Sequence, residues 1–398
     1  MTNRLYYNDP YLRVFDASIS SIDQRETRLI VTLDSTAFYP TSGGQPFDTG
    51  TLGPWRVIET VDQDDGAIGH IVETLAAADG GSRLTVGDRV HGEIDWPRRF
   101  DHMQQHTGQH VLSAAFERLF RVRTVSFHLG AEASTIDLAR EVSVTEIAAA
   151  EDKANRIVWE DRPVTIRYVT SEEAARLPLR KEPAREGTLR LIEVADVDLS
   201  ACGGTHVART GAIGVISVTA WERFKGGYRL EFLCGGRALN RFRASRDTVS
   251  SLVRLLSVTP NELPDAAARV LAEARDQKRT IAGLQSELAA FRADELAASA
   301  VNGFVGRSLD ADAGTLKALA AAVSARSGYT VVLVSTRQPA LVVVARSADV
   351  PVDADHLLAA LLARFGGRGG GKPAIAQGGG LQGSPDAILA AARSLASA

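Results

Sequence analysis

The spacing of apolar residues changes along the chain, and the predicted secondary structure changes with it. Within residues 1–95, short β-branched runs at 28–33 and 53–60 are bounded by Gly, Pro and Asp, and residues 86–95 resemble a further pair of strands. Short strands separated by turn residues are typical of all-β units. The pattern predicts a small β-barrel or sandwich over residues 1–95.

Residues 96–250 are predicted to form an α+β unit. Helical spacing links Val111, Leu112, Ala115 and Leu119, which predicts a helix over residues 105–120. A second helix is predicted over residues 145–158. Strands are predicted over residues 124–129, 134–138, 215–219 and 228–232.

Residues 251–302 are predicted to be a helical segment. Between residues 263 and 300 apolar positions alternate at spacings of four and three, as in a heptad seam with one polar position. The seam consists of Val270, Ala274, Gln277, Ile281, Leu284, Leu288 and Phe291. A coiled-coil homodimer, an antiparallel helical hairpin and an ordinary amphipathic helix all fit this pattern.

Residues 303–398 are predicted to form a small α/β domain. The runs 329–334 and 341–345 are almost continuously apolar, as expected of buried strands, and Ala-rich helical segments flank them. The whole chain is therefore expected to be α+β, in four segments that cover residues 1–95, 96–250, 251–302 and 303–398.

Composition narrows the class of protein. The 398 residues contain two cysteines, too few for a disulfide framework, which favours a reducing compartment and a cytoplasmic location. Neither a signal peptide nor a run of about 18 apolar residues is found, so no membrane association is expected. A net charge of −3 argues against broad affinity for nucleic acid, but leaves room for a local basic face.

Two segments carry candidate metal ligands. His106 and His110 are separated by three residues, and so are Cys202 and His206. Side chains at i and i+4 share one face of a helix, so the histidine pair can hold one ion. Imidazoles and thiolates are the usual ligands of tetrahedral zinc. His102 lies on the same predicted helical face, so two of the three histidines must be chosen, or one orients another.

Two glycine-rich segments are candidate binding elements. In residues 38–48, Gly43 and Gly44 permit close approach of a ligand, and Gln45 and Asp48 are candidates to hold polar substrate groups. Taken alone, this segment is an ordinary β-turn between strands. In residues 366–380, Arg368 and Lys372 lie in a predicted glycine-rich loop, which favours anion binding but also fits a solvated surface turn.

The combination of Phe-Tyr-x3-Gly-Gly-Gln, His-x3-His and Cys-Gly-Gly-Thr-His resembles the editing region of alanyl-tRNA synthetase and the free-standing editing proteins of the AlaX type. The glycine-rich tail is similar to the DHH-associated domain of the same synthetase. The order of segments, which begins at a barrel, resembles the long AlaX form. The resemblance therefore implies an editing enzyme that acts in trans, without an aminoacylation domain.

The resemblance implies that His106, His110, Cys202 and His206 bind Zn²⁺, and His102 falls outside the family pattern. The implied partner is tRNA for alanine charged with serine, or with glycine. The implied reaction is hydrolysis of the ester between the amino acid and the terminal ribose.

Further roles follow from what that reaction requires. Thr124 and Ser126 are candidates to recognise the serine hydroxyl, unless they are outward-facing strand residues, and Thr41 is another candidate. Gln45 or His102 is a candidate to orient the attacking water. We expect Arg368 and Lys372 to contact tRNA phosphates. The ion either activates water or positions the substrate.

Two alternative functions fit the same residues. A zinc-stabilised RNA-binding protein without catalysis is consistent with four protein ligands, because such a site is closed. A hydrolase of free small esters or amides would use the metal site but would not need residues 303–398.

Overall fold

The computed structural model describes residues 1–25, 28–74, 84–180 and 187–397. The chain divides into two compact units, Met1–Ser251 and Leu252–Ala398, and each is considered by itself. Within the described residues, no helix combines the length and the low polarity that crossing a membrane would require.

The first part of unit 1 is a closed six-stranded barrel, so the predicted barrel is confirmed and the alternative sandwich is not. The strands are β1 (Asn3–Arg4), β2 (Val14–Arg25), β3 (Arg28–Leu33), β4 (Ser35–Thr36), β5 (Gly50–Leu52), β6 (Trp55–Asp62), β7 (Ile68–Thr74) and β8 (Arg89–Ile94). The barrel strands follow one another in the order β2, β3, β7, β6, β5, β8, and β1 pairs separately with β4. In the first half of β2 every second residue is buried in the barrel core, at Phe15, Ala17 and Ile19.

One strand prediction in the barrel was wrong. Residues 86–95 were expected to form a pair of strands, but they contain the single strand β8. The turn before β8 uses Gly87 at φ 93°, and Asp88 accepts a hydrogen bond from the backbone N–H of Thr85. The segment therefore has one turn and one strand, and the partners of β8 are β2 and β5.

Helix α1 (Trp96–Phe120) follows the barrel directly and begins before residue 105, where the sequence pattern placed its start. Asp95 caps it by accepting a hydrogen bond from the backbone N–H of Arg98, and Pro97 lies in its first turn. Every residue from 105 to 116 is buried. Polar side chains on this stretch therefore need partners inside the protein.

The rest of unit 1 surrounds α1 with two antiparallel sheets. One sheet has the order β14-β15-β10-β9, and the other has the order β11-β12-β13. Residues 124–129, 134–138 and 144–159 match the predicted strands and helix closely. The elements are β9 (Thr124–Leu129), β10 (Ser134–Leu138), α2 (Val144–Trp159), β11 (Val164–Thr170), α3 (Ser171–Ala174), β12 (Thr188–Val194), β13 (Asp198–Ala201), β14 (Ile216–Phe224) and β15 (Gly227–Cys234).

Unit 2 contains one five-stranded sheet with helices on both faces. The remaining elements of the chain are α4 (Gly235–Leu256), α5 (Leu263–Ala298), β16 (Phe304–Leu309), α6 (Ala313–Ser324), β17 (Thr330–Ser335), β18 (Ala340–Arg346), α7 (Ala354–Phe365), β19 (Arg368–Lys372), β20 (Ile375–Leu381) and α8 (Pro385–Ala396). The boundary between the units falls near the end of α4, and the sheet order is β16-β17-β18-β20-β19. Successive residues of β17 belong alternately to two apolar clusters, which explains why its sequence is continuously apolar.

The predicted glycine-rich loop was wrong in its secondary structure, because residues 368–381 form the hairpin of β19 and β20. A Cβ atom on Gly369 or Gly371 would overlap the backbone of β20, so this close pairing requires glycine. Arg368 and Lys372 are exposed at the two ends of the edge strand β19.

The helix predicted over residues 263–300 is present as α5, whereas its pairing in a coiled coil stays a prediction. In the described chain Val270 is 50% and Phe291 is 83% exposed. The far end of α5 is packed differently, because Ala289, Ala293 and Leu296 belong to an apolar cluster of unit 2. Homodimerisation through the exposed seam therefore remains a prediction.

A buried ion pair joins the barrel to α1. Both Asp48 and Arg99 are fully buried, and the Nε atom of Arg99 donates to the Oδ2 atom of Asp48 at 2.9 Å. Asp48 also accepts from the backbone N–H of Tyr39 at 2.7 Å and so closes the base of the loop 38–48. Arg99 donates further to the carbonyl of Pro10 at 2.9 Å.

We expect Asp48→Ala to lower the free energy of unfolding of unit 1 by about 3–5 kcal/mol, because Arg99 would remain buried without its counter-ion. Tryptophan fluorescence during urea titration reports on this unit alone, since all four tryptophans lie in it, at positions 55, 96, 159 and 221. Glu59→Ala is the matched control. Its partner Arg28 is 63% exposed, so the loss should stay below about 1 kcal/mol. Equal losses for the two variants would contradict the assignment.

Candidate metal centre

Four metal-ligating side chains converge inside unit 1. His106, His110, Cys202 and His206 each offer one ligand atom, and these atoms lie within 4.8 Å of one another. The two histidines of α1 share a helix face as their spacing predicts. Cys202 follows β13, and the two glycines after it turn the chain so that His206 faces the same point.

Each imidazole is fixed through its Nδ1 atom. The Nδ1 atom of His106 lies 2.8 Å from the Oε1 atom of Gln45, and that of His110 lies 2.8 Å from the Oδ2 atom of Asp198. The Nδ1 atom of His206 lies 3.2 Å from the Oγ1 atom of Thr107. A metal-binding histidine usually engages its second ring nitrogen in this way. In all three imidazoles the Nε2 atom is therefore available to bind an ion at the point where the four side chains meet.

The thiol completes the cluster. The Sγ atom of Cys202 lies 3.3 Å from the Nε2 atom of His106 and 3.3 Å from that of His206. Arg190 holds the backbone of this segment, because its Nη1 atom donates to the carbonyls of Cys202 and Gly204 at 2.7 and 3.0 Å. A Cβ atom on Gly204 would overlap the ring of His106, so the segment needs glycine there.

The electrostatics of Cys202 and His206 match those of metal ligands, whereas His110 must release a proton to bind an ion. Burial raises the pKa of the Cys202 thiol, but the opposing effect of His106 and His206 is larger. The pKa of this thiol therefore lies well below its usual value. Burial lowers the pKa of His206 to about 3 and keeps that ring neutral. Burial also opposes a charge on His110, but the hydrogen bond with Asp198 prevails and raises its pKa to about 9. Thiolate and imidazole are the forms that bind metals.

Three imidazoles and one thiol form a donor set that fits a borderline transition-metal ion. Their ligand atoms are close enough to share one ion, and their outer nitrogens are already engaged. These four residues could therefore hold a metal.

A cavity of about 180 Å³ lies against the cluster. His106, His110 and Cys202 form part of its wall. Residues 39, 42 and 43 of the loop 38–48 and residues 124–127 of β9 contribute further walls. The loop therefore folds against the cluster of candidate metal ligands, which is the arrangement that would give it a role in binding.

The Gly-Gly turn of that loop has a defined geometry. Gly43 and Gly44 have φ angles of 54° and 85°, and Ser42 and Gln45 exchange backbone hydrogen bonds across them. The carbonyl of Gly44 accepts a hydrogen bond from the N–H of Leu129 at 3.1 Å. A Cβ atom on Gly44 would lie 2.9 Å from the ring of Phe127. The turn is thus held against β9, with Gly43 at the cavity wall.

Of the predicted catalytic residues, Thr124 and Ser126 line the cavity, and Gln45 lies behind it. Gln45 is fully buried, and its Oε1 atom accepts from the N–H of Thr205 at 3.0 Å besides contacting His106. Its Nε2 atom donates to the hydroxyl of Thr205 at 2.8 Å. Both ends of its amide are engaged within the protein, so the observed role of Gln45 is to orient the imidazole of His106.

Several other predicted residues do not belong to the cavity wall formed by the described residues. Thr41 is exposed on the loop, and Asp48 is engaged with Arg99. His102 is 3% exposed, and burial lowers its pKa to about 4. It also lies outside the four-residue cluster. Arg368 and Lys372 belong to unit 2.

Sequence reasoning missed the residues that hold the ligands. Asp198 contacts His110 and forms an ion pair with Arg180, which also lines the cavity. Thr107 contacts His206, and Arg190 holds the backbone around Cys202. Only Thr107 had a local signal, because it lies between the two histidines. Asp198 and Arg190 reach the site through strand pairing that spacing does not reveal.

Three family models match parts of this chain. Residues 9–98 match tRNA synthetases class II (A), and residues 189–231 match the threonyl and alanyl tRNA synthetase second additional domain. Residues 295–398 match the DHHA1 domain. The fold and the site thus define a protein that combines this second additional domain, which contains Cys202 and His206, with a DHHA1 domain.

Similar proteins place the chain within a family. The alanyl-tRNA editing protein AlaX-L of Pyrococcus horikoshii is 32% identical over 95% of this chain and 94% of that protein. The alanine–tRNA ligases of Pyrococcus abyssi and Methanothrix thermoacetophila are 32% and 34% identical over 95% and 98% of this chain. The chain spans only 42% and 44% of the length of those two ligases. It belongs to the alanyl-tRNA editing proteins of the AlaX type.

We expect Gln45→Met to weaken metal binding about 10–100-fold, because His106 would lose the partner that fixes its ring. Competition with a chromophoric chelator measures this affinity. Cys202→Ala should abolish binding of one ion per chain. Cys234→Ala should leave it intact, since Cys234 is buried outside the cluster.

Gln45→Met could instead keep the metal affinity of the wild type and hydrolyse the ester more slowly. That result would contradict the role of Gln45 in orienting the imidazole of His106. That outcome would instead favour the alternative prediction in which Gln45 orients water.

Proposed function

We propose that this protein is a zinc-dependent deacylase that hydrolyses the ester bond of tRNA for alanine wrongly charged with serine. The observation that carries the proposal is the small cavity with hydroxyl groups directly against the four-ligand cluster. Membership in the editing family supports the same reaction. Glycine is the other candidate amino acid.

The physical need for such a reaction is clear. A synthetase pocket for alanine rejects a molecule that differs by one methylene or one hydroxyl only by about 10–200-fold. A second site that hydrogen-bonds the serine hydroxyl reverses the preference, because alanine would leave polar groups of that site unpaired. The cavity wall supplies polar side chains for such a contact, with the hydroxyls of Thr124 and Ser126 and the amide of Gln109.

The size of the cavity supports a single amino acid as the enclosed group. Its volume of about 180 Å³ is smaller than the roughly 300–1,000 Å³ of pockets that take drug-sized ligands. The aminoacyl group would therefore enter the cavity while the nucleotide remains at its mouth.

The proposed ligands of zinc are His106, His110, Cys202 and His206. A bound zinc ion would polarise the ester or hold the amino group of the substrate in its neutral form. Gln45 and Asp198 keep His106 and His110 oriented, and Arg180 forms an ion pair with Asp198. These contacts pre-organise the site, so that little rearrangement is needed when the substrate binds.

Contacts with the body of the tRNA are proposed for unit 2. Arg368 and Lys372 are exposed at the ends of the glycine strand β19, where small residues permit close approach of a phosphate backbone. The exposed apolar seam of α5 is proposed to pair with a second copy of the chain.

A second candidate function has one observation in its favour. Four protein ligands describe a closed coordination shell, which is typical of structural zinc. The alternative is therefore a zinc-stabilised protein that binds tRNA without catalysis.

We expect the protein to release serine from seryl-tRNA for alanine at least about 10-fold faster than alanine from correctly charged tRNA. Acid precipitation of the labelled aminoacyl-tRNA measures the rate. Cys202→Ala should lose the activity, and Cys234→Ala should keep it.

Filter binding in parallel separates the two candidate functions. Intact seryl-tRNA that remains bound to the metal-loaded protein would favour the binding protein. Equal cleavage of the serine and alanine esters would contradict the proposed discrimination.

A further inference from the structure

The hydroxyls of the cavity wall are already engaged with the protein. Thr124 donates from its Oγ1 atom to the Oγ atom of Ser113 at 2.7 Å, and Ser126 donates to the Oδ2 atom of Asp137. Asp137 is held in turn by Arg229 through two hydrogen bonds of 2.7 and 2.9 Å. Neither hydroxyl proton is therefore free to bind a substrate without breaking a contact.

Gln109 on α1 is different. It lines the same cavity and is 1% exposed. One end of its amide, the Nε2 atom, donates to the Oγ atom of Ser113 at 2.9 Å. The other end, the Oε1 atom, has no hydrogen-bond partner among the described residues. A buried polar atom without a hydrogen-bond partner destabilises the protein, and a bound ligand with a hydrogen-bond donor would remove that cost.

We infer that Gln109 recognises the side-chain hydroxyl of serine in the mischarged substrate, and so determines the specificity of the site. The inference rests on the proposed deacylase function and deepens it. Ser113 and Thr124 are positioning residues in this arrangement, because their hydroxyls hold the amide against the cavity wall.

The chemistry of a hydroxyl fits this amide better than that of the other polar group of the substrate. A hydroxyl donates and accepts, whereas an α-ammonium group only donates and carries a positive charge. The adjacent cluster is suited to a metal cation, and the cavity wall also contains Arg180, which is paired with Asp198. A second cation would be repelled there.

Alanine and glycine offer no hydroxyl to Gln109. Either amino acid would leave the amide unpaired, which corresponds to roughly 5- to 150-fold lower kcat/KM. The site is therefore expected to prefer serine over glycine as well as over alanine.

The test compares deacylation of serine- and glycine-charged tRNA for alanine by the wild type and Gln109→Met. Methionine keeps the length of the side chain but removes both ends of the amide. The expected result is a loss of about 5- to 150-fold in kcat/KM for the serine ester and a change of less than about 3-fold for the glycine ester. Gln109→Leu is measured alongside, in case the methionine variant does not fold.

Gln105→Met is the matched control. Gln105 lies one turn earlier on α1 and is fully engaged, because its amide bonds the backbone N–H and carbonyl of Cys234. This variant should be less stable but should keep the ratio of serine to glycine hydrolysis.

Three results would overturn the inference: no change in Gln109→Met, equal losses for both esters, or the same shift in the control. A wild type that cleaves none of the charged tRNAs would instead remove the proposed function itself, and this inference with it. The zinc content of each variant is also measured. Loss of serine recognition alone leaves the zinc content unchanged, whereas damage to the four-ligand cluster lowers it.

Discussion

The interior of unit 1 depends on three imidazoles and a thiol that meet at one buried point. Their ligand atoms lie within 4.8 Å of one another, and the three imidazoles are at most 3% exposed. Groups of this kind are costly to remove from water unless a shared partner satisfies them. A metal ion would satisfy all four at once, so metal binding and folding are expected to be coupled in this protein.

The groups that fix the imidazoles come from separate parts of the chain. Gln45 belongs to the turn beside the barrel, Thr107 to α1 and Asp198 to β13. The same contacts bring the Gly43-Gly44 turn against the cavity and hold the strand before Cys202 in place. The barrel therefore contributes directly to the geometry of the site, although it supplies no metal ligand.

The sequence predicted much of this arrangement, because some of its signals are local. Helical spacing places His106 and His110 on one face, and the predicted strands 124–129 and 134–138 match β9 and β10. The sequence did not predict the ion pair of Asp48 with Arg99 or the hydrogen bond of Asp198 with His110. The partners in these two pairs are 51 and 88 residues apart. The β19–β20 hairpin was missed for a different reason. Glycine signals a turn locally, whereas here close strand pairing requires it.

X-ray absorption at the zinc edge of the metal-loaded protein measures the ligands of the ion directly. If the four side chains share one ion, the spectrum will show three nitrogen ligands at about 2.0–2.1 Å and one sulfur ligand at about 2.3 Å. A spectrum without sulfur, or with two sulfur ligands, would show that Cys202 and the three histidines do not share one ion.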